Sequence, residues 1–203
     1  MTVDQAARTS PLGSRAAQLR GTPPGVRLEE LAFLTQLNLR LDPSGPGRAA
    51  VGEALGLALP VQPGTVSRTG DRALVWLGPD EWLLVAPPGE QTLLAQALRT
   101  ALGGGLGTVV DQSAHRTTLD VQGPLARDLL ARGCSLDLHP SVLTTGRCAQ
   151  TLVARAPVLL LPREDGAGFW LLVRSSFAGY LADWLLDAAV EFGVSAEYGS
   201  DTE

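Results

Sequence analysis

Lysine is absent: all sixteen basic residues of this 203-residue chain are Arg. A Walker-type phosphate loop needs a Lys to reach the phosphates, and Schiff-base chemistry needs a Lys amine, so both are excluded. Long apolar runs are also missing, and none approaches a membrane span. The opening MTVDQAARTSPLGSR lacks the charged-then-apolar order of a secretion signal, which predicts a cytoplasmic protein. Positive charge is in deficit, with a net charge of −5 and a pI near 5.1. A nucleic-acid binder needs a basic face to displace phosphate counterions, so that class is disfavoured. What is plentiful is apolar surface, at 45% of residues. A globule of this length buries roughly 70% of its unfolded surface and needs no metal or disulfide staple. The length suits one large domain or two small fused ones.

Residues 1–25 carry no hydrophobic period and include Gly13, Gly21, Pro23, Pro24 and Gly25, which predicts an extended arm. Leu37, Leu39 and Leu41 alternate with Asn38, Arg40 and Asp42, the pattern of a strand. A short helix follows through Val51, Ala54, Leu55 and Ala58, and then a loop over 60–70. Two apolar runs around Gly78-Pro79-Asp80 predict a hairpin. A helix over 90–102, with Leu93, Leu94, Ala97, Leu98, Ala101 and Leu102 on one side, stops at Gly103. A strand near 108–111 leads to a central unit. There Thr117, Leu119 and Val121 alternate with Arg116, Thr118, Asp120 and Gln122. Gly123 and Pro124 then open a helix that Gly133 can close in a left-handed conformation. Strands over 148–153, 158–161 and 169–173 follow. The last helix is capped at Ser175 or Ser176, presents Phe177, Tyr180, Leu181, Trp184, Leu185 and Ala188, and gives way to a polar tail from Gly193. Strand, helix, two strands, helix, strand is the split βαβ order, and it occurs twice. The expectation is an α+β chain of two fused ferredoxin-like halves, 26–113 and 114–203, behind the arm and without a linker.

Each candidate for chemistry has a plainer reading. Cys134, Cys148, His115 and His139 lack the close Cys-x-x-Cys pair of a zinc site and read as structural, and a cytoplasmic Cys134–Cys148 disulfide is not expected. Asp111, Ser113 and His115 share a face in a straight strand, but residues two apart lie about 7 Å from each other, too far for a proton relay. No Gly-x-Ser-x-Gly elbow accompanies them. Asp80-Glu81 and Glu29-Glu30 read as turn and surface charge. Gly103-Gly-Gly-Leu-Gly follows a helix and has Thr108 where a dinucleotide fingerprint needs Gly, so it reads as a helix stop. Trp76, Trp82, Trp170 and Trp184 read as core, with an exposed Trp as a possible interface anchor. No catalytic residue and no metal ligand is assigned.

Several stretches in order resemble one family. They are Ser10-Pro-Leu, Leu37-Asn-Leu-Arg40, Leu57-Ala-Leu-Pro60, Trp76-Leu-Gly-Pro-Asp-Glu-Trp82 and Val110-Asp-Gln-Ser113. The set continues with His115-Arg-Thr-Thr-Leu-Asp-Val-Gln-Gly-Pro124, Cys134-Ser-Leu-Asp-Leu-His-Pro140, Arg174-Ser-Ser-Phe177 and the run from Leu181 to Leu185. Together they resemble the gamma subunit of heterotetrameric sarcosine oxidase, itself similar in fold to the folate-binding part of the glycine cleavage T-protein. The resemblance implies a companion subunit without an active site. Its complex oxidatively demethylates sarcosine to glycine, yields hydrogen peroxide, and passes the carbon to tetrahydrofolate or releases formaldehyde. It further implies docking mainly on an alpha subunit, beside beta and delta subunits. FAD, FMN, NAD, zinc and folate would then be held by other chains. Asp111 and Arg116 are the folate candidates should this chain bind it. Two other classes stay open: a free-standing folate-dependent one-carbon transferase and a generic interaction module. In the companion class, the N-terminal arm and an exposed Trp are expected to dock on alpha.

Overall fold

The computed structural model describes residues 8–198, and side chains through residue 193; the first seven residues of the expected arm and the acidic end lie outside that range. It is an α+β structure of two five-stranded sheets, every strand pair antiparallel, with five α-helices among the described residues. In chain order these are α1 (Ala16–Arg20), β1 (Arg27–Leu31), β2 (Thr35–Leu41), α2 (Gly47–Leu55), β3 (Val66–Thr69), β4 (Arg72–Gly78), β5 (Glu81–Ala86) and α3 (Gln91–Leu102). There follow β6 (Gly107–Asp111), β7 (Arg116–Gln122), α4 (Ala126–Ala131), β8 (Ala149–Val153), β9 (Ala156–Pro162), β10 (Gly168–Arg174) and α5 (Ser175–Tyr198).

The first sheet runs β3-β4-β5-β2-β6 and the second β1-β7-β10-β9-β8. The two orders correspond position by position, with β1 holding in the second sheet the edge that β6 holds in the first. Leu37, Leu39 and Leu41 of β2 pack on Val51 and Leu55 of α2 and on Leu94 and Leu98 of α3. Leu119 and Val121 of β7 pack with Leu28 on Leu129 of α4 and on Leu181 and Leu185 of α5. The remaining faces meet each other: Val75, Leu83 and Val85 of the first sheet cluster with Leu159, Leu161 and Leu172 of the second. The result is a stack of helices, sheet, sheet, helices, in which an alternating strand has both faces covered. Burial at Gln36, Asn38, Thr118 and Asp120 follows from this, although their alternation with Leu and Val marks them as the polar side.

The N-terminal expectation is corrected. Residues 13–20 form a 3₁₀ turn and α1, and β1 pairs with β7, so this segment belongs to the second sheet instead of an extended arm or the first half. Gly and Pro hid it, because among the described residues before β1 the only fully buried side chains are Leu12 and Leu19. β3, expected as loop, is an edge strand whose residues are mostly half-buried, so no alternation marks it. On α5 the buried line is Ala178, Leu181, Ala182, Leu185 and Ala189, while Phe177 and Tyr180 stand exposed. Small alanines let the helix lie close to the sheet, which turns the aromatics aside. The same helix continues through residues 193–198, where a tail was expected.

Gly133 does not adopt the left-handed conformation expected of it. Its value is steric, since a Cβ there would sit 2.6 Å from the Trp184 ring and 3.0 Å from the Ala154 nitrogen. Gly133→Ala is therefore expected to cost about 1–3 kcal/mol through overpacking, read as a lowered denaturation midpoint. Trp184→Leu in the same chain should recover part of that loss; no recovery would refute the contact as the cause.

Candidate functional site

The polar residues that matter most cluster where the chain passes from one sheet to the other, between β6 and β7. Asp111 ends β6, and its Oδ1 accepts hydrogen bonds from the Ser113 amide at 2.9 Å and the Ser113 hydroxyl at 2.6 Å. The Ser113 oxygen in turn accepts from the Gln36 amide at 3.0 Å, and the Gln112 amide donates to the Gln36 carbonyl at 2.8 Å. On the far side the Ser175 amide donates to the His115 carbonyl at 3.0 Å. A short turn thus ties β2, β6, β7 and the start of α5 together. Its side chains are consumed in holding the turn.

Asp111, Ser113 and His115 do not assemble into a relay. The Ser113 hydroxyl proton is directed at Asp111, and the His115 ring has no hydrogen bond among the described residues. Partial desolvation, reinforced by Arg116 and Arg174, lowers the His115 pKa below its ordinary value. Arg116 donates to the Gln112 side chain at 3.0 Å. Its pKa is depressed first by burial and then by Arg174, with Glu81 opposing.

The other sequence candidates are dispersed. Cys134 packs on the helix side of the second sheet and Cys148 between the sheets, both as free thiols. His139 lies in an exposed loop against Ser141, 2.7 Å away. Among the described residues no three His, Cys, Asp or Glu side chains group as metal ligands would. Burial pushes the Cys148 thiol up to about 11, and its sulfur faces the Thr65 and Trp76 carbonyls at 3.6 Å. Both thiols are buried, at 7% and 6% exposure, and are expected to react with an aromatic disulfide reagent only after denaturation, since the reagent must reach the sulfur. Fast labelling of the native chain at neutral pH would contradict this.

Of the paired carboxylates, Asp80 and Glu81 reach Arg40 at 3.4 Å, and Glu29 reaches Arg27 at 3.0 Å. Glu30 is not surface charge. It accepts hydrogen bonds from Thr117 of β7, at 2.5 Å, and from Ser10, pinning the N-terminal segment to the second sheet. Trp82 is fully buried, its indole N–H donating to the Pro60 carbonyl at 2.7 Å, and Trp170 borders a cleft of about 580 Å³ beside Arg68.

Comparison with known proteins adds what this geometry leaves open. The model of the sarcosine oxidase, gamma subunit family matches residues 40–191. The chain belongs to the sarcosine oxidase gamma subunit family. It is 42% identical over 178 residues to the sarcosine oxidase subunit gamma of Arthrobacter sp., covering 87% of this chain and 86% of that protein. Against the sarcosine oxidase subunit gamma of Corynebacterium sp. (strain U-96) it is 40% identical over 196 residues, 93% of each. A chain of the solved heterotetrameric sarcosine oxidase from Corynebacterium sp. U-96 superposes with a TM-score of 0.86 at 39% identity, over 92% of this chain and 96% of that one. The glycine cleavage aminomethyltransferase T of Bartonella henselae superposes at 0.59 with 19% identity, over 87% of this chain and 49% of that one, which shows a shared fold alone.

Within this gamma-family chain, sequence reasoning missed the buried ion pair between Asp120 of β7 and Arg163 of the β9–β10 hairpin, at 2.5 Å. The signal was present in the alternation that puts Asp120 on the same face as Arg116, but not the fact that a second sheet covers that face.

Proposed function

We propose that this chain is the gamma subunit of a heterotetrameric sarcosine oxidase, a companion that supports the oxidoreductase complex and carries no active site of its own. Kinship along nearly the full length of named gamma subunits, at 39–42% identity, carries this reading. The way the junction uses its polar groups supports it, because Ser113, Asp111 and Gln36 are spent on one another. On this reading the complex is a cytoplasmic flavoenzyme that oxidises sarcosine to glycine with production of hydrogen peroxide. The carbon leaves as formaldehyde or as 5,10-methylenetetrahydrofolate. FAD, FMN, NAD and zinc sit on other subunits, and the alpha subunit is the main contact, with beta and delta completing the assembly. No helix among the described residues is long and apolar enough to cross a membrane.

The same reading takes each half as ferredoxin-like, divided between residues 113 and 114 except that β1 (Arg27–Leu31) crosses over to complete the second half as its edge strand. The matching strand orders support it. Should folate touch this chain, Asp111 and Arg116 on the junction turn are the residues assigned to it.

The test is a gentle affinity pull-down of the tagged chain from its native cells. A yellow eluate with flavin absorption, three further chains and sarcosine-dependent peroxide is expected. A colourless lone chain that binds tetrahydrofolate would favour a free-standing one-carbon transferase instead. Flavin without sarcosine turnover would retain the architecture and change the substrate.

A further inference from the structure

Arg116 and Arg174 stand directly opposite each other on β7 and β10. Their register partners further along, Thr118 with Leu172 and Asp120 with Trp170, place both side chains on the face turned toward the first sheet. Both line one cleft of about 540 Å³, whose apolar part includes Leu77, Leu159 and Leu172. Ser135 and Thr151 add hydroxyls to its wall. No carboxylate lines this cleft, and neither Arg forms an ion pair among the described residues. Glu81, the acid that acts on Arg116 from a distance, is already committed to Asn38 at 2.7 Å and Arg40 at 3.4 Å.

Like charges directly opposite on neighbouring strands repel. In a chain with 21 acidic against 16 basic residues, an acid-free cleft holding two guanidinium groups is an anomaly the fold itself does not resolve. A bound anion resolves it. Guanidinium groups match the planar fork of a carboxylate, and the apolar lining offers a place for the body that carries it. The first turn of α5, which begins immediately after Arg174, contains no acidic residue and adds the positive end of a long helix.

We propose that the Arg116–Arg174 cleft is a binding site for an organic carboxylate, the guanidinium groups clamping the charge and the leucines taking the apolar part. The inference stands on this chain alone and does not depend on the oxidase assignment. The carboxylate is supplied either by a free organic acid or by a side chain or terminus of a partner subunit.

The experiment titrates the full chain with sodium benzoate at constant ionic strength while following the Arg Nε–Hε resonances. Saturable shifts at two Arg resonances are expected, and inorganic phosphate should bind more weakly, lacking an apolar body. Arg174→Gln, an exposed position outside the core, should weaken benzoate about tenfold or more, as loss of a bidentate ion pair does. Linear shifts without saturation, or equal affinity in Arg174→Gln, would overturn the proposal. The purified complex then separates the sources. If it still takes up benzoate as the free chain does, the ligand is a free acid. If uptake is lost and Arg174→Gln lets this chain dissociate at lower salt, the carboxylate belongs to a partner subunit.

Discussion

Deleting residues 1–25 is expected to destabilise the isolated chain by about 3–6 kcal/mol, because it removes two fully buried leucines at about 1.5–3 kcal/mol each. Leu12 and Leu19 are 0% and 1% exposed, and both sit in the cluster with Leu28, Leu119 and Leu181. The segment is held by more than apolar contact. Ser10 reaches Glu30, Arg15 makes two hydrogen bonds to Asp183 of α5 at 2.6 and 2.9 Å, and the Leu125 amide donates to the Gly25 carbonyl at 3.0 Å. At Gly123, whose φ is +106°, a Cβ would sit 2.4 Å from that same carbonyl, so the crossing of the two segments is fitted around a missing side chain. A domain of ordinary stability has about 5–15 kcal/mol in total, so the loss is a large fraction of it and the urea midpoint of the truncated chain should fall steeply. Urea denaturation of the free chain checks this. An unchanged midpoint, together with poorer retention by partner subunits, would restore the idea that these residues act as a docking arm.

That idea came from a real feature of the sequence. Gly and Pro are dense between residues 13 and 25, and they erase the periodicity from which helices and strands are read. The long α3 and the β4–β5 hairpin were legible because each carries its own signals, a glycine stop in one and a two-residue Pro79-Asp80 turn in the other. β1 was not, since it is a single sheet edge whose one partner, β7, comes from the middle of the chain. The same limit applies to the junction. Alternation reads Asp111 and Ser113 as strand positions about 7 Å apart, whereas the turn brings the Ser113 hydroxyl to 2.6 Å from Asp111, and only three-dimensional contact shows that Gln36 takes the Ser113 oxygen. Arg116 was singled out from sequence, whereas Arg174, quoted there only within Arg174-Ser-Ser-Phe177, is joined to it by the register that sets the two opposite. Periodicity tells which residues share a face, and it does not tell what covers that face.

Asp120 turns the covered face into a second large prediction: Arg163→Ala should cost about 3 kcal/mol at neutral pH, within the range for breaking one side of a buried ion pair. Asp120 is 2% exposed, and its Oδ2 receives Arg163 at 2.5 Å and Gln122 at 2.6 Å. Its Oδ1 has no hydrogen-bond partner among the described residues. Burial raises the Asp120 pKa even with Arg163 opposing it, and without the guanidinium the carboxyl rises further. A carboxyl whose folded pKa exceeds its unfolded value favours the native state below the unfolded value and loses that contribution as pH rises through the folded one. The Arg163→Ala deficit should therefore be largest at neutral pH and shrink toward the unfolded carboxylate pKa of about 4. Asp120→Ala should be milder, because Arg163 keeps Asp165 at 3.1 Å and reaches solvent with 24% of its side chain. Replacing both, with Asp120→Leu and Arg163→Met, should recover most of the loss, since the cost lies in an unpaired buried charge and not in the absence of the pair. Denaturant midpoints of the three variants at two pH values decide the matter. A deficit in Arg163→Ala that stays constant with pH would show that packing of the arginine stem, instead of the charge on Asp120, is what the hairpin contributes.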